Sequence, residues 1–235
     1  MNGRWLQSLM VRRSFLARLG PGVGVLGATV IDSSSVTLAP AAGMPWRPAR
    51  HAQDDWFDKI PGQHRLVFDT TTPDGLALAL RFARTYFREN QNSYGLKDSD
   101  LAVVIIARHH STAFGYADAI WTKYGKQLSE QARFTDPKTK EPPKTNLFGV
   151  PDDGSEADES AASIETLVKE GVHFAVCQAA SKAIAERIAR ATGGDVDAIF
   201  NEIAGNLIPN GRFVPAGIVA VNRAQERGYS FVHTV

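Results

Sequence analysis

From Arg65 onward, short apolar runs alternate with segments whose apolar residues recur at helical spacing. Leu66-Val67-Phe68 is a candidate first strand, ending at Asp69 and a Thr70-Thr71-Thr72-Pro73 turn. Threonine followed by proline suits an N-cap and a first helical position. Leu76, Leu80, Ala83 and Phe87 then share one helix face, with Gly95 placed to stop the helix. Leu101 to Ala107 is a continuous apolar run rich in β-branched residues, the pattern of a strand covered on both sides. It leads into Arg108-His109-His110. A helix capped by Ser111 or Thr112 follows, with Phe114, Ala117, Trp121 and Tyr124 on one side and Gly125 as its end.

Residues 126–160 break the rhythm. The stretch Asp136-Pro137-Lys138-Thr139-Lys140-Glu141-Pro142-Pro143-Lys144 cannot continue a helix or a central strand. It reads as a lid, an interface arm or a solvated excursion. Regular structure resumes with a helix carrying Ile164, Leu167 and Val168, then a strand Val172-His173-Phe174-Ala175-Val176 ending at Cys177. A helix from about Gln178 stops at Gly193-Gly194, and a further amphipathic one carries Val196, Ile199, Phe200, Ile203 and Leu207. After Arg212-Phe213-Val214-Pro215 come a short helix and a last strand, Tyr229-Ser230-Phe231-Val232. This alternation predicts an α/β fold, a mostly parallel sheet of about five strands with helices on both faces.

The beginning of the chain has another character. Arg4, Arg12, Arg13 and Arg18 precede a Gly- and Ala-rich apolar stretch and a small-residue site at Ala39-Pro40-Ala41, the three parts of an export signal. Arg12-Arg13-Ser14-Phe15-Leu16 resembles a twin-arginine translocation motif, a route to the periplasm or another exported location. The apolar run is too short and glycine-rich for a membrane span. We therefore expect a signal over 1–41, a Pro- and Arg-rich linker over 42–64 and an α/β domain over 65–235. The 235 residues carry 26 Lys+Arg against 25 Asp+Glu, and cleavage after Ala41 removes four of the arginines and one aspartate. The remaining chain is slightly acidic, which gives no reason to expect nucleic acid as a partner.

Candidate chemistry follows from the rule that ligands bind beyond the carboxyl ends of parallel strands. That rule selects Asp69, His109, His110 and Cys177, and an aromatic stripe adds Trp121 as either core or pocket wall. A single cysteine excludes an intrachain disulfide and a thiolate-only zinc site. Cys177 lies where a strand gives way to a helix, a place that favours a thiolate, although free cysteine is commonly a small buried residue. If the strand persists through His109 and His110, their side chains point to opposite faces, so one at most serves a given pocket. His173 lies roughly 13 Å from Cys177, toward the other edge of the sheet. No metal site can be completed from these residues, no cofactor motif is present, and no enzyme class follows.

The segments Gly171-Val172-His173-Phe174-Ala175-Val176-Cys177, Leu207-Ile208-Pro209-Asn210-Gly211, Val214-Pro215-Ala216-Gly217 and Gln225-Glu226-Arg227-Gly228-Tyr229 resemble the DsrE/DsrF-like family, small α/β proteins of sulfur metabolism. Trp121-Thr122-Lys123-Tyr124-Gly125 is similar to a helix ending usual in that family. The resemblance implies a three-layer, doubly wound sheet, a homo-oligomer (trimer or hexamer), and a cysteine at Cys177 that carries persulfide sulfur to or from a donor or acceptor protein. The relay members are cytoplasmic, whereas this chain reads as exported. The competing expectation is a non-catalytic oligomeric module that binds a small molecule, with Trp121, His109 and the long loop lining its pocket.

Overall fold

Leu101–Ala107 forms the central strand of a five-stranded sheet, and all seven of its residues are buried. This computed structural model describes residues 47–150 and 162–235. The expected signal over 1–41 and the acidic part of the interruption, 151–161, lie outside the described residues. The strands are β1 (His64–Thr70), β2 (Leu101–Ala107), β3 (His173–Cys177), β4 (Gly211–Val214) and β5 (Ser230–Thr234), all parallel in the order β4-β3-β2-β1-β5.

The handedness of parallel crossovers accounts for the layers. From β1 to β4 the chain always steps in one direction, so right-handed connections place α2 (Pro73–Tyr94), α3 (Asp118–Ala132), α4 (Ile164–Lys169), α5 (Gln178–Thr192) and α6 (Val196–Ala204) on one face. There they pack on Phe68, Val103, Ile105, Phe174 and Val176. The return from β4 to β5 runs the other way and puts α7 (Gly217–Gln225) on the opposite face. Ala220, Val221 and Ala224 of α7 cover Val67, Val104, Ile106, Ala175 and Val214 there. The protein is thus a three-layer α/β fold, with the helices divided unequally between the faces.

Local sequence explains the helix ends. Thr72 accepts the Gly75 N–H at 2.9 Å, Pro73 opens α2, and Gly95 closes it at a φ of 66°. The α3 region differs from its sequence reading. Residues His109–Gly115 form a 3-10 turn, and α3 runs through Gly125 to Ala132, with a non-helical φ of −124° at Tyr124. Gly125 does not stop the helix. A Cβ there would stand 2.2 Å from the Pro143 carbonyl oxygen, so its bare backbone admits the returning loop.

That loop is fastened to the core at several points, although residues 137–141 are exposed. The rings of Phe134 and Phe148 lie 5.4 and 4.7 Å from that of Phe114. Asn146, 4% exposed, donates from Nδ2 to the Phe114 and Tyr116 carbonyls at 2.8 and 3.0 Å, while its N–H donates to Asp118 Oδ1 at 2.8 Å. Asp118 is therefore an anchor for the strap. The stretch read as linker is also partly structured. Residues Ala52–Asp54 form a 3-10 turn and Trp56–Lys59 a short helix, α1, with Phe57 and Ile60 buried beneath α7. The aromatic ring of Tyr229 pins this segment: its hydroxyl donates to the Phe57 carbonyl at 2.8 Å, which Arg65 also approaches at 2.9 Å.

Two measurements test these fastenings. Asn146→Ala strands two buried carbonyls, so urea denaturation should show a loss of about 1–3 kcal/mol and limited proteolysis should cut the strap faster. Burial pushes the Tyr229 hydroxyl up to about 12. An unfolded tyrosine ionises near pH 10, so the stability this group confers is complete below about pH 10 and declines as pH rises toward about 12. Tyr229→Phe should flatten that alkaline slope in denaturation curves.

Candidate functional site

The carboxyl ends of β1, β2 and β3 bring together a charged cluster on the α7 face. Asp69 is opposite His233 in the register of β1 and β5, so both side chains point to that face. Arg108 follows β2 directly and reaches back to grip the Asp69 carboxylate with Nε to Oδ1 at 2.6 Å and Nη2 to Oδ2 at 2.8 Å. His233 Nδ1 stands 3.1 Å from Asp69 Oδ2. The aspartate is 2% exposed and the arginine side chain 24%, so the pair is sheltered on the carboxylate side and open on the guanidinium side. The hydrogen bond to Asp69 raises the Arg108 pKa above its ordinary value, against an opposing contribution from burial.

Backbone geometry holds Arg108 in place. Its N–H donates to Ser111 Oγ at 3.0 Å, and Ser111 Oγ lies 2.9 Å from the Thr70 carbonyl, its acceptor at the end of β1. On the other side, a Cβ at Gly217 would stand 2.5 Å from Arg108 Cβ. Only a glycine lets the first turn of α7 press against the arginine stem.

Cys177 joins this face one residue step beyond the paired Ala107 and Val176 of β2 and β3, beside Arg108. It is 7% exposed. Its Sγ caps α5, accepting the Ala180 N–H at 3.4 Å. Its carbonyl accepts from Ser181 Oγ at 2.9 Å, and Ser181 in turn accepts the Tyr116 hydroxyl at 2.7 Å. Burial raises the Tyr116 pKa, keeping it a neutral donor in this chain. A negative charge on Cys177 also favours the Arg108 cation. Cys177 thus lies at the start of α5, on the same face as Arg108.

The other expected residues are placed differently. β2 stops at Ala107, so His109 and His110 do not alternate across the sheet. They lie in the 3-10 turn with ring centroids 3.9 Å apart, His109 at a φ of 58°, and His110 Nδ1 is 2.7 Å from the Gln131 carbonyl of α3. The His109 ring is largely exposed, yet the desolvation it does undergo, with His110 and the cations of Arg108 and Arg133 beside it, lowers its pKa. Trp121 is fully buried, stacks obliquely on Phe114 and donates from Nε1 to the Ala113 carbonyl at 3.1 Å. It is a core residue, because a large ring with its one donor satisfied is most stable inside the helical layer.

Arg108, His233 and Gly217 were not among the sequence candidates. Arg108 stood in plain sight after an apolar strand, but β5 lies beside β1 only in the folded sheet, so nothing local tied His233 to Asp69. Among the described residues, no group of three or more His, Cys, Asp or Glu side chains is gathered for a metal ion, and no helix is long and apolar enough to cross a membrane. No family model and no curated protein matches the chain.

Asp69→Ala should cost about 1.5–3 kcal/mol in urea denaturation, because it removes two charge-assisted hydrogen bonds and leaves Arg108 without its carboxylate. Arg108→Lys should recover only part of the difference, since an ammonium cannot make the paired contact.

Proposed function

We propose that this chain is an exported DsrE-like protein that takes up sulfane sulfur on Cys177 and hands it on. The observation that carries the reading is the setting of Cys177, whose Sγ accepts a helix N-terminal N–H beside Arg108. A thiolate is the attacking species in sulfur transfer, and the start of α5 supplies Sγ with an N–H donor. In the step proposed, Cys177 Sγ attacks the outer sulfur of a persulfide R–S–SH. A new S–S bond forms as the donor's S–S bond breaks, and the donor thiolate leaves with the bonding pair and takes the proton that Cys177 gave up. The products are Cys177–S–SH and R–SH, with no net oxidation. Handing the sulfur to an acceptor thiol is the same exchange in reverse. At 7% exposure the thiol admits a small donor such as polysulfide more readily than a bulky one.

The family resemblance supports a homo-oligomer, trimer or hexamer, and a partner protein that gives or receives the sulfur. The paired arginines Arg12 and Arg13 support export by the twin-arginine route. A second reading is favoured by the low exposure of Cys177 itself: a non-catalytic oligomeric module, in which the cysteine is a small packed cap and the carboxyl edge binds a ligand through Arg108.

Mass spectrometry of the intact folded protein after exposure to polysulfide separates the two. The first reading expects a single-sulfur adduct, removed by dithiothreitol and absent from Cys177→Ser, with Arg108→Gln lowering its rate of formation. Free thiol alone after that exposure would overturn it and leave the binding module.

A further inference from the structure

The opposite edge of the sheet carries a second cluster with contrasting electrostatics. His173 opens β3 and Arg212 lies in β4, on the face covered by α1, and between them and α1 there is a cleft of about 330 Å³. Trp56, Lys59 and Asn210 complete its polar and aromatic lining, and none of the lining residues is acidic. The guanidinium of Arg212 lies 4.8 Å from the centroid of the Trp56 ring. That contact steadies the guanidinium without using a hydrogen-bond acceptor, so its N–H donors remain available.

Three cationic or ionisable donors here lack a counter-charge. Among the described residues, the side chains of Lys59, His173 and Arg212 have no hydrogen bond or ion pair. The acids of the same segment are committed elsewhere: Asp54 to Arg223, Asp55 to Arg227, and Asp58 to Arg227 and Arg50. Asn210 spends Nδ2 on the Val172 carbonyl at 3.1 Å. Half-buried His173 is held toward its neutral form, first by desolvation and then by the positive charge of Arg212. Unpaired positive charges lining a cleft raise the local concentration of anions there. The carboxyl edge differs, because there Arg108 is already neutralised by Asp69.

We propose that this cleft is a binding site for a small soluble oxyanion, a phosphate or a carboxylate, held by Lys59, His173 and Arg212. Arg212, steadied on Trp56, presents its N–H edge to two oxygens; Lys59 adds a mobile ammonium from α1, and His173 donates from the floor once protonated. The cleft's size suits a compact anion. The site is independent of the sulfur chemistry proposed for Cys177.

The test is an NMR titration of the full chain with inorganic phosphate and, separately, malonate, with ionic strength held constant by sodium chloride. Expected is a saturable shift of the His173 ring resonances and a rise in its titration midpoint, since a bound anion holds the protonated ring. Stronger binding of phosphate or of malonate identifies which group the site takes. Lys59→Gln and Arg212→Gln should each weaken binding by about tenfold or more, the scale of one charge-assisted hydrogen bond. Cys177→Ser should bind as the unmodified chain does. Shifts that stay linear in anion concentration, or that chloride reproduces, overturn the proposal. So does unchanged affinity in Lys59→Gln, whose exposed and unpaired side chain can be replaced without disturbing the fold.

Discussion

Parallel neighbours in a sheet can be joined only by crossovers, and right-handed ones are strongly preferred. In this chain that constraint decides where every chemically interesting group lies. Three successive steps from β1 to β4 load one face with five helices, and a single reversed step to β5 leaves the other face to α7 and α1. Asp69, Arg108, Cys177 and His233 all reach that thinner face, at the carboxyl edge of the sheet. His173 and Arg212 reach it too, nearer the amino edge. The reversal at β1 and β5 also seats the start of α2 on the chain's last strand, where a Cβ on Gly75 would stand 2.4 Å from the Thr234 carbonyl oxygen.

The thin layer has an electrostatic consequence. A carboxylate as buried as Asp69 is costly unless its charge is matched, and Arg108 matches it in a paired geometry while keeping part of its guanidinium toward solvent. The arginine therefore holds the carboxylate behind it on the same face that carries Cys177. Gly217 makes this arrangement sterically possible by letting α7 close over the arginine stem. Among the described residues, the basic groups at the other edge have no such internal partner. One end of the face is self-neutralised beside Cys177, and the other is left positive around a cleft.

Much of the architecture was legible from local patterns. The β-branched run of β2, the Thr72-Pro73 start and Gly95 stop of α2, and the strand-to-helix passage at Cys177 all follow from residue chemistry within a few positions. The readings that failed were those in which a distant segment changes what a residue is for. Gly125 looks like a helix stop but serves the approach of Pro143. The proline-rich stretch leaves lid, arm and solvated loop open by sequence; residues 137–141 are exposed, but Phe134, Phe148 and Asn146 on either side fasten the loop to the core. Residues 52–60 look like linker, but Tyr229 and α7 at the far end of the chain hold them down.

By itself the sequence determined the α/β class, four of the five strands and most helix boundaries, and it marked Cys177 and Asp69 near the ends of strands, because hydrophobic period, caps and turns act over short range. Only the tertiary structure decided which strand ends are neighbours, and so it alone paired Asp69 with Arg108 and His233, turned His109 and His110 away into the 3-10 turn, and buried Trp121. The physical reason is that side-chain contacts depend on strand order and facing. Those are set by how crossovers wind and layers pack over the whole chain, and no local stretch of residues encodes them.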